Sequence, residues 1–208
     1  CGITMPVTKH NFLVGSTAHT VTAAYYVRYV MQAPNSVLSA FLLVYSVGMI
    51  ASQVAWLAAC RRIGKVRSFL AATAIYGTVS VLWAVLGSGA PTWLFILLSF
   101  LNGTGAGGLL LASESLLPDA IEDDCRRSGA RREGTLASLF AFTEKGANAL
   151  GVALVGFVLG WFHYQAPAAG EAVPANVASA IMTCFGLIPA FFVGISGLWW
   201  LVARRASP

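Results

Sequence analysis

The chain consists of long apolar runs separated by short polar turns. A bilayer core about 30 Å thick needs roughly 20 apolar residues per helix, and six segments reach that length between charges or turn residues. These segments are Asn11 to Met31, Ser36 to Cys60, Ser68 to Ser88, Thr92 to Leu117, Gly134 to Phe162, and Val177 to Ala203. The alternation over about ten residues that marks barrel strands is not seen. The pattern therefore predicts an all-α, polytopic membrane bundle of six transmembrane helices.

Composition supports this class, because 57% of the residues are hydrophobic and 10% are charged, against about 25% charged in soluble domains. The basic residues outside the spans fall at both ends and in two alternate loops: Lys9, Arg61, Arg62, Lys65, Arg67, Arg126, Arg127, Arg131, Arg132, Arg204 and Arg205. Under the positive-inside rule, both termini and these loops are expected to be cytoplasmic, in a multi-pass protein of the cell (inner) membrane. The net charge of +5 thus records topology and does not indicate a nucleic-acid partner.

The cysteines and the amino terminus add little. No CxxC pair or Cys/His cluster is present among the four cysteines, so neither a disulfide framework nor a metal site is predicted. No basic region with a cleavage site precedes the first span, so a signal peptide is not expected. Because the first residue is Cys1 and six spans have both ends inside, we expect the chain to begin partway through a longer, twelve-helix protein.

Three polar side chains inside spans are candidate cavity residues. His19 and Tyr26 are seven residues apart and so share a helical face. They either belong to packing and an interfacial aromatic belt, or line a cavity within reach of a substrate hydroxyl. Gln53 needs a hydrogen-bond partner inside the membrane, either on a neighbouring helix or in a watery cavity.

Pairs of small residues four positions apart predict close helix packing. Gly48 and Ser52 form such a pair in the second span, and Gly103 and Gly107 form one in the fourth. Small residues at this spacing let two helix backbones approach each other. The glycine-rich run around Gly103 lacks the preceding strand and following lysine of a phosphate-binding loop.

The charged loop 118–133 is the longest polar segment. It carries Asp119, Glu122 and Asp123, followed by Arg131 and Arg132. One interpretation is a solvated loop, in which exposed ion pairs contribute only about 0 to 1 kcal/mol each. The other is a latch between moving halves that closes in one conformation and opens in another. The residues alone do not decide between these.

Lys145 lies inside the fifth span. It follows the basic turn by about twelve residues, which at 1.5 Å per residue predicts a depth of roughly 18 Å, near the bilayer middle. A lysine there costs roughly 2.5 to 3.5 kcal/mol, so a partner or an aqueous cavity is expected. Ser138 and Asn148 share its face, and Glu144, about 100° round the helix, can neutralise it only partly. A structural pairing and a role in substrate binding or coupling both remain open.

The runs LLPDAIEDD, SGARREG and SLFAFTEKGANALG resemble the tenth-to-eleventh loop and the eleventh helix of the glycoside-pentoside-hexuronide:cation symporters, a family of the major facilitator superfamily. The run YYVRYV resembles that family's seventh helix. By this resemblance the chain is the carboxy-terminal six-helix half, helices seven to twelve, and an amino-terminal six-helix half is its expected partner.

The resemblance implies a secondary transporter that couples a sugar or related small solute to a cation, sodium or proton, by alternating access in the lipid bilayer, with no other cofactor. Lys145 would face the central sugar and cation cavity. Asp119 and Asp123, with Arg131 or Arg132, would form a cytoplasmic gate. LLPD and EDD also resemble animal relatives that carry lysophospholipids, which gives one alternative solute. A truncated half without transport activity is the other alternative.

A membrane-embedded enzyme is not expected. Such an enzyme needs paired histidines, a nucleophile with a base, or clustered carboxylates at one depth. His10, His19 and His163 are far apart along the chain, and most of the acids lie in the charged loop.

Overall fold

The computed structural model describes residues 4–89, 91–115, 118, 121–122, 126, 133–165 and 173–205. Within these ranges the chain is helical and carries no strand, which confirms the predicted all-α class. The α-helices are α1 (Thr4–Tyr25), α2 (Asn35–Ala51), α3 (Gln53–Ile63), α4 (Lys65–Leu86), α5 (Thr92–Glu114), α6 (Glu133–Trp161), α7 (Ala175–Met182) and α8 (Ile188–Arg205).

These helices combine into six rods. Only Ser52 separates α2 from α3. A π-helical turn, Thr183–Leu187, joins α7 to α8, and a second one, Tyr26–Val30, extends α1. The rods match the six predicted segments to within a few residues at most ends. The main difference is α1, which begins at Thr4 rather than Asn11 because Lys9, treated as a residue outside the membrane, lies inside the bundle.

Five described stretches are long and apolar enough to cross a membrane: Asn35–Ile63, Lys65–Leu86, Thr92–Glu114, Gly134–Trp161 and Ala175–Val202. The first rod, α1, is not among them. It packs against α5, α6 and α8, and Thr8, Lys9, His19 and Thr22 on it are buried. α1 can be more polar than the others because neighbouring helices cover it.

The tightest helix pair is α2 with α5, where glycines allow backbone contact. A Cβ added at Gly103 would lie 2.1 Å from the carbonyl oxygen of Tyr45, and one added at Gly48 would lie 2.5 Å from that of Phe100. At Gly107 the added atom would lie 2.7 Å from Ser52 Oγ. Both predicted small-residue pairs therefore meet across one interface, and the packing interpretation of these pairs is confirmed.

Replacing Gly103 with alanine should destabilise the protein, because the new methyl group would overlap the Tyr45 carbonyl and force α2 away from α5. Overpacking of this kind costs about 1 to 3 kcal/mol. Thermal unfolding of the purified protein in detergent measures the loss. Gly77→Ala on α4 is the matched control, since nothing lies within 4 Å of its added Cβ; an equal loss in both variants would contradict the interface.

Candidate functional site

The predicted cavity residues do not converge on one opening, and His19 illustrates why. Its side chain is 1% exposed, and its Nδ1 lies 2.7 Å from the carbonyl oxygen of Phe185. A carbonyl only accepts, so Nδ1 carries the hydrogen. The His19 ring stacks on the Phe185 ring with centroids 4.2 Å apart. The prediction that His19 lines a cavity is therefore corrected: it is a packed core residue.

Tyr26 lies on the other side of the same phenylalanine. It is 0% exposed, its ring stacks on Phe185 at 4.3 Å, and its hydroxyl lies 3.2 Å from the Trp83 carbonyl oxygen. The prediction of a cavity position is corrected here too. His19 and Tyr26 do share one face of the first rod, but that face packs on the π-helical turn that carries Phe185.

Gln53 and Asn148 face neighbouring helices. Gln53 Nε2 lies 3.5 Å from the carbonyl oxygen of Gly107 on α5, which favours the neighbouring-helix alternative. Thr17 of α1 donates to Asn148 Oδ1 at 2.9 Å, so Asn148 points to α1 and away from Lys145. Ser138 is exposed on α6 and donates to the Thr135 carbonyl oxygen at 2.9 Å.

Lys9 forms an ion network with two glutamates from other helices. Its ammonium is 2.6 Å from Glu114 Oε1 on α5 and 3.0 Å from Glu144 Oε2 on α6, and it lies 3.7 Å from the centre of the Phe140 ring. The Lys9 side chain is 3% exposed, whereas Glu114 and Glu144 are 46% and 35% exposed. A buried ammonium is stable only when it is paired, and here three groups surround it.

Lys145 is the exposed neighbour of this network. Its side chain is 79% exposed, and its Nζ lies 4.0 Å from Glu144 Oε1. Glu144 therefore stands between a buried lysine and an exposed one. With Lys9, Glu114, Glu144 and Lys145 together, two positive and two negative charges gather at one place on the bundle, and their sum is zero.

The network also fixes the position of Lys145 along the bundle. Glu114 is the last residue of α5, and Lys65, the first residue of α4, donates to the carbonyl oxygen of Ser115 at 2.9 Å. Glu144 shares Lys9 with Glu114, so Lys145 lies level with the end of α5. Residues 133–143 of α6 extend beyond this level, and the depth of roughly 18 Å, which counts from the first residue of α6, stays a prediction.

Most of the predicted gate lies outside the described residues, namely Asp119, Asp123, Arg131 and Arg132. Glu122 is described and accepts from Arg126 Nη2 at 2.5 Å, with the two side chains 64% and 76% exposed. This is an i,i+4 pair within one segment. Among the described residues, no three His, Cys, Asp or Glu side chains converge as metal ligands.

Lys9 was not predicted to be a site residue. The sequence pattern indicated only a cytoplasmic charge at this position, because an uncharged run begins after it. Glu114 and Glu144 offered a signal, since each is an acid beside an apolar helix segment and needs water or a cation. Their separation from Lys9 by 105 and 135 residues left no spacing rule to connect them.

Lys9→Gln should destabilise the protein by about 2 to 3 kcal/mol. Removing one partner of a fully buried ion pair costs about 3 to 5 kcal/mol, and the partial exposure of Glu114 and Glu144 lets water hydrate them. Unfolding in detergent measures the difference. Arg126→Ala removes an exposed pair and should cost no more than about 1 kcal/mol. Equal effects of the two substitutions would contradict the network.

The chain is similar in sequence to known proteins of one family. The sequence profile of the family described as "MFS/sugar transport protein" matches residues 12–204. A glucuronide carrier protein homolog of Escherichia coli is 30% identical over 184 residues, which are 87% of this chain and 39% of that protein. A putative glycoside/cation symporter of Escherichia coli is 28% identical over 196 residues, 91% of this chain and 39% of the relative.

A third relative, a putative 2,3-dihydroxypropane-1-sulfonate exporter of Escherichia coli, is 31% identical over 175 residues, 84% of this chain and 35% of that protein. The chain thus spans between 35% and 39% of the length of these relatives. With the apolar helices described above, these matches make it a multi-pass membrane protein. The chain belongs to the MFS/sugar transport protein family, as its resemblance to the glycoside-pentoside-hexuronide:cation symporters predicted, and this is a family of transporters rather than enzymes.

Proposed function

We propose that this chain forms the carboxy-terminal half of a secondary transporter that couples a sugar or related small solute to sodium or protons by alternating access. The family match over residues 12–204 carries the proposal. The share of the relatives that the chain spans, at most 39%, leaves room in a protein of that length for a second bundle of similar size. Secondary transporters place the solute site between two such bundles.

The surface of α6 supports a solute path along one side of this helix. At 100° per residue, Ser138, Lys145 and Gly156 lie within about 20° of one another. The large exposed side chains Leu139 and Phe157 lie about 100° further round. The first side carries a lysine, a serine and a glycine beside Phe142, which is 76% exposed, so it is the more polar of the two sides. A polar side suits an aqueous cleft, and a side of leucine and phenylalanine suits lipid.

An acidic sugar is the solute that these observations favour. Lys145 offers an exposed ammonium, and ammonium groups form stronger hydrogen bonds with anions than with neutral acceptors. The names of two relatives, a glucuronide carrier homolog and a sulfonate exporter, each contain a solute with an acidic group. The positive-inside distribution supports cytoplasmic termini, and the location that we propose is the cell (inner) membrane.

Lys145→Ala should abolish gradient-driven accumulation by the full-length protein, because the ammonium group that binds the solute is lost. The amount of the protein in the membrane should be unchanged. Uptake in vesicles measures accumulation under sodium, proton and no imposed gradient, with radiolabelled methyl β-glucuronide, methyl β-glucoside and a lysophospholipid as solutes. Accumulation of a sugar only under a gradient would support symport.

The matched controls are Lys145→Arg, which keeps the charge, and Arg126→Ala, which removes an exposed cation that pairs with Glu122. Both should retain uptake. Normal accumulation by Lys145→Ala would rule out the role of Lys145. Wild-type protein that is folded and correctly oriented but moves no solute under any gradient would overturn the proposed function, and preference for the lysolipid would overturn the sugar.

A further inference from the structure

Glu144 lies between two lysines and is hydrogen-bonded to only one of them. Its Oε2 accepts from Lys9 at 3.0 Å, which is hydrogen-bonding distance, while its Oε1 is 4.0 Å from Lys145 Nζ, which is not. The two lysines differ in environment, since Lys9 is 3% exposed and Lys145 is 79% exposed. Water screens the Lys145 contact much more strongly than the Lys9 contact.

Lys9 is fixed in this position. Its three ammonium hydrogens have three acceptors: Glu114 Oε1, Glu144 Oε2 and the face of the Phe140 ring. The three groups come from α5 and α6, whereas Lys9 belongs to α1. Because the site is filled and buried, the Glu144 carboxylate is held on the α1 side of its helix.

Without Lys9 the balance would change. Lys145 would then be the described basic group within 4.0 Å of Glu144, and a small rotation of either side chain would bring them into hydrogen-bonding distance. That pair would neutralise the one exposed ammonium in the network. An incoming anion would have to displace Glu144 before it could bind Lys145.

We propose that Lys9 is a positioning residue: it holds Glu144 away from Lys145 and so keeps the Lys145 ammonium free for the acidic group of a solute. This role rests on the proposed function. This role predicts that Lys9 affects the preference for acidic over neutral solutes as well as the affinity for the acidic solute. An acidic solute competes directly with the Glu144 carboxylate for Lys145, whereas a neutral glycoside, which has no charge to place there, competes weakly.

The test is uptake by full-length protein in vesicles, with methyl β-glucuronide and methyl β-glucoside as probes and with Lys9→Gln, Glu144→Gln and the double variant. Lys9→Gln should raise KM for the glucuronide about tenfold, the loss expected when one charge-assisted hydrogen bond is weakened, with KM for the glucoside changed little. The double variant should return KM for the glucuronide close to the wild-type value.

A change in KM confined to the glucuronide separates positioning from a purely structural role. Glu144→Gln removes the carboxylate that Lys9→Gln leaves unpaired, so the double variant should regain stability under either role, whereas a structural defect would change KM for both probes. An equal rise in KM for both probes, or no rescue in the double variant, would overturn the proposal. If Lys9→Gln does not fold, Glu144→Gln alone decides: Lys145 is already free in the wild type, so KM for the glucuronide should stay close to the wild-type value, and a severalfold change confined to the glucuronide would overturn the proposal.

A second measurement does not depend on transport. Acetylation of Lys145 by sulfosuccinimidyl acetate, followed by mass spectrometry of its peptide in the purified full-length protein, reports whether the amine is free. The rate should fall severalfold in Lys9→Gln and recover in the double variant. An unchanged rate in Lys9→Gln would overturn the positioning role, whereas failure of wild-type uptake with this labelling pattern intact would overturn only the proposed function.

Discussion

The burial of one ammonium group constrains the arrangement of three helices. Lys9 is 3% exposed, and an unpaired charge in such a place would cost far more than the few kilocalories per mole that separate folded from unfolded protein. Its partners lie on α5 and α6, so α1 must meet both helices at the same level.

The α2–α5 and α1–α6 interfaces differ in the kind of contact that holds them. Between α2 and α5 the backbones touch through glycines, and the polar contact that α3 adds on the same rod, Gln53 with Gly107, involves a main-chain carbonyl. Between α1 and α6 the contact is polar at two levels, Lys9 with Glu144 and Thr17 with Asn148. Close backbone packing resists any relative shift, while polar contacts can exchange partners.

Hydrophobic patterning predicted the helices because membrane-spanning length and charge exclusion are local properties. The glycine pairs were equally local, and Gly48, Gly103 and Gly107 pack as their spacing indicated. The candidate site was harder to predict from the sequence than the helices were. Helical periodicity showed that His19 and Tyr26 share a face, but whether that face meets water or Phe185 depends on a π-helical turn about 160 residues away, and no local pattern contains that information.

The separation of Lys9 from its partners has a consequence for biosynthesis. Lys9 leaves the ribosome 105 residues before Glu114 and 135 residues before Glu144. Until those helices exist, α1 carries an uncompensated charge and is the least apolar of the rods, so it gains little from entering the lipid. Stable placement of the first helix must then wait for the fourth and fifth rods, which carry the partners of Lys9.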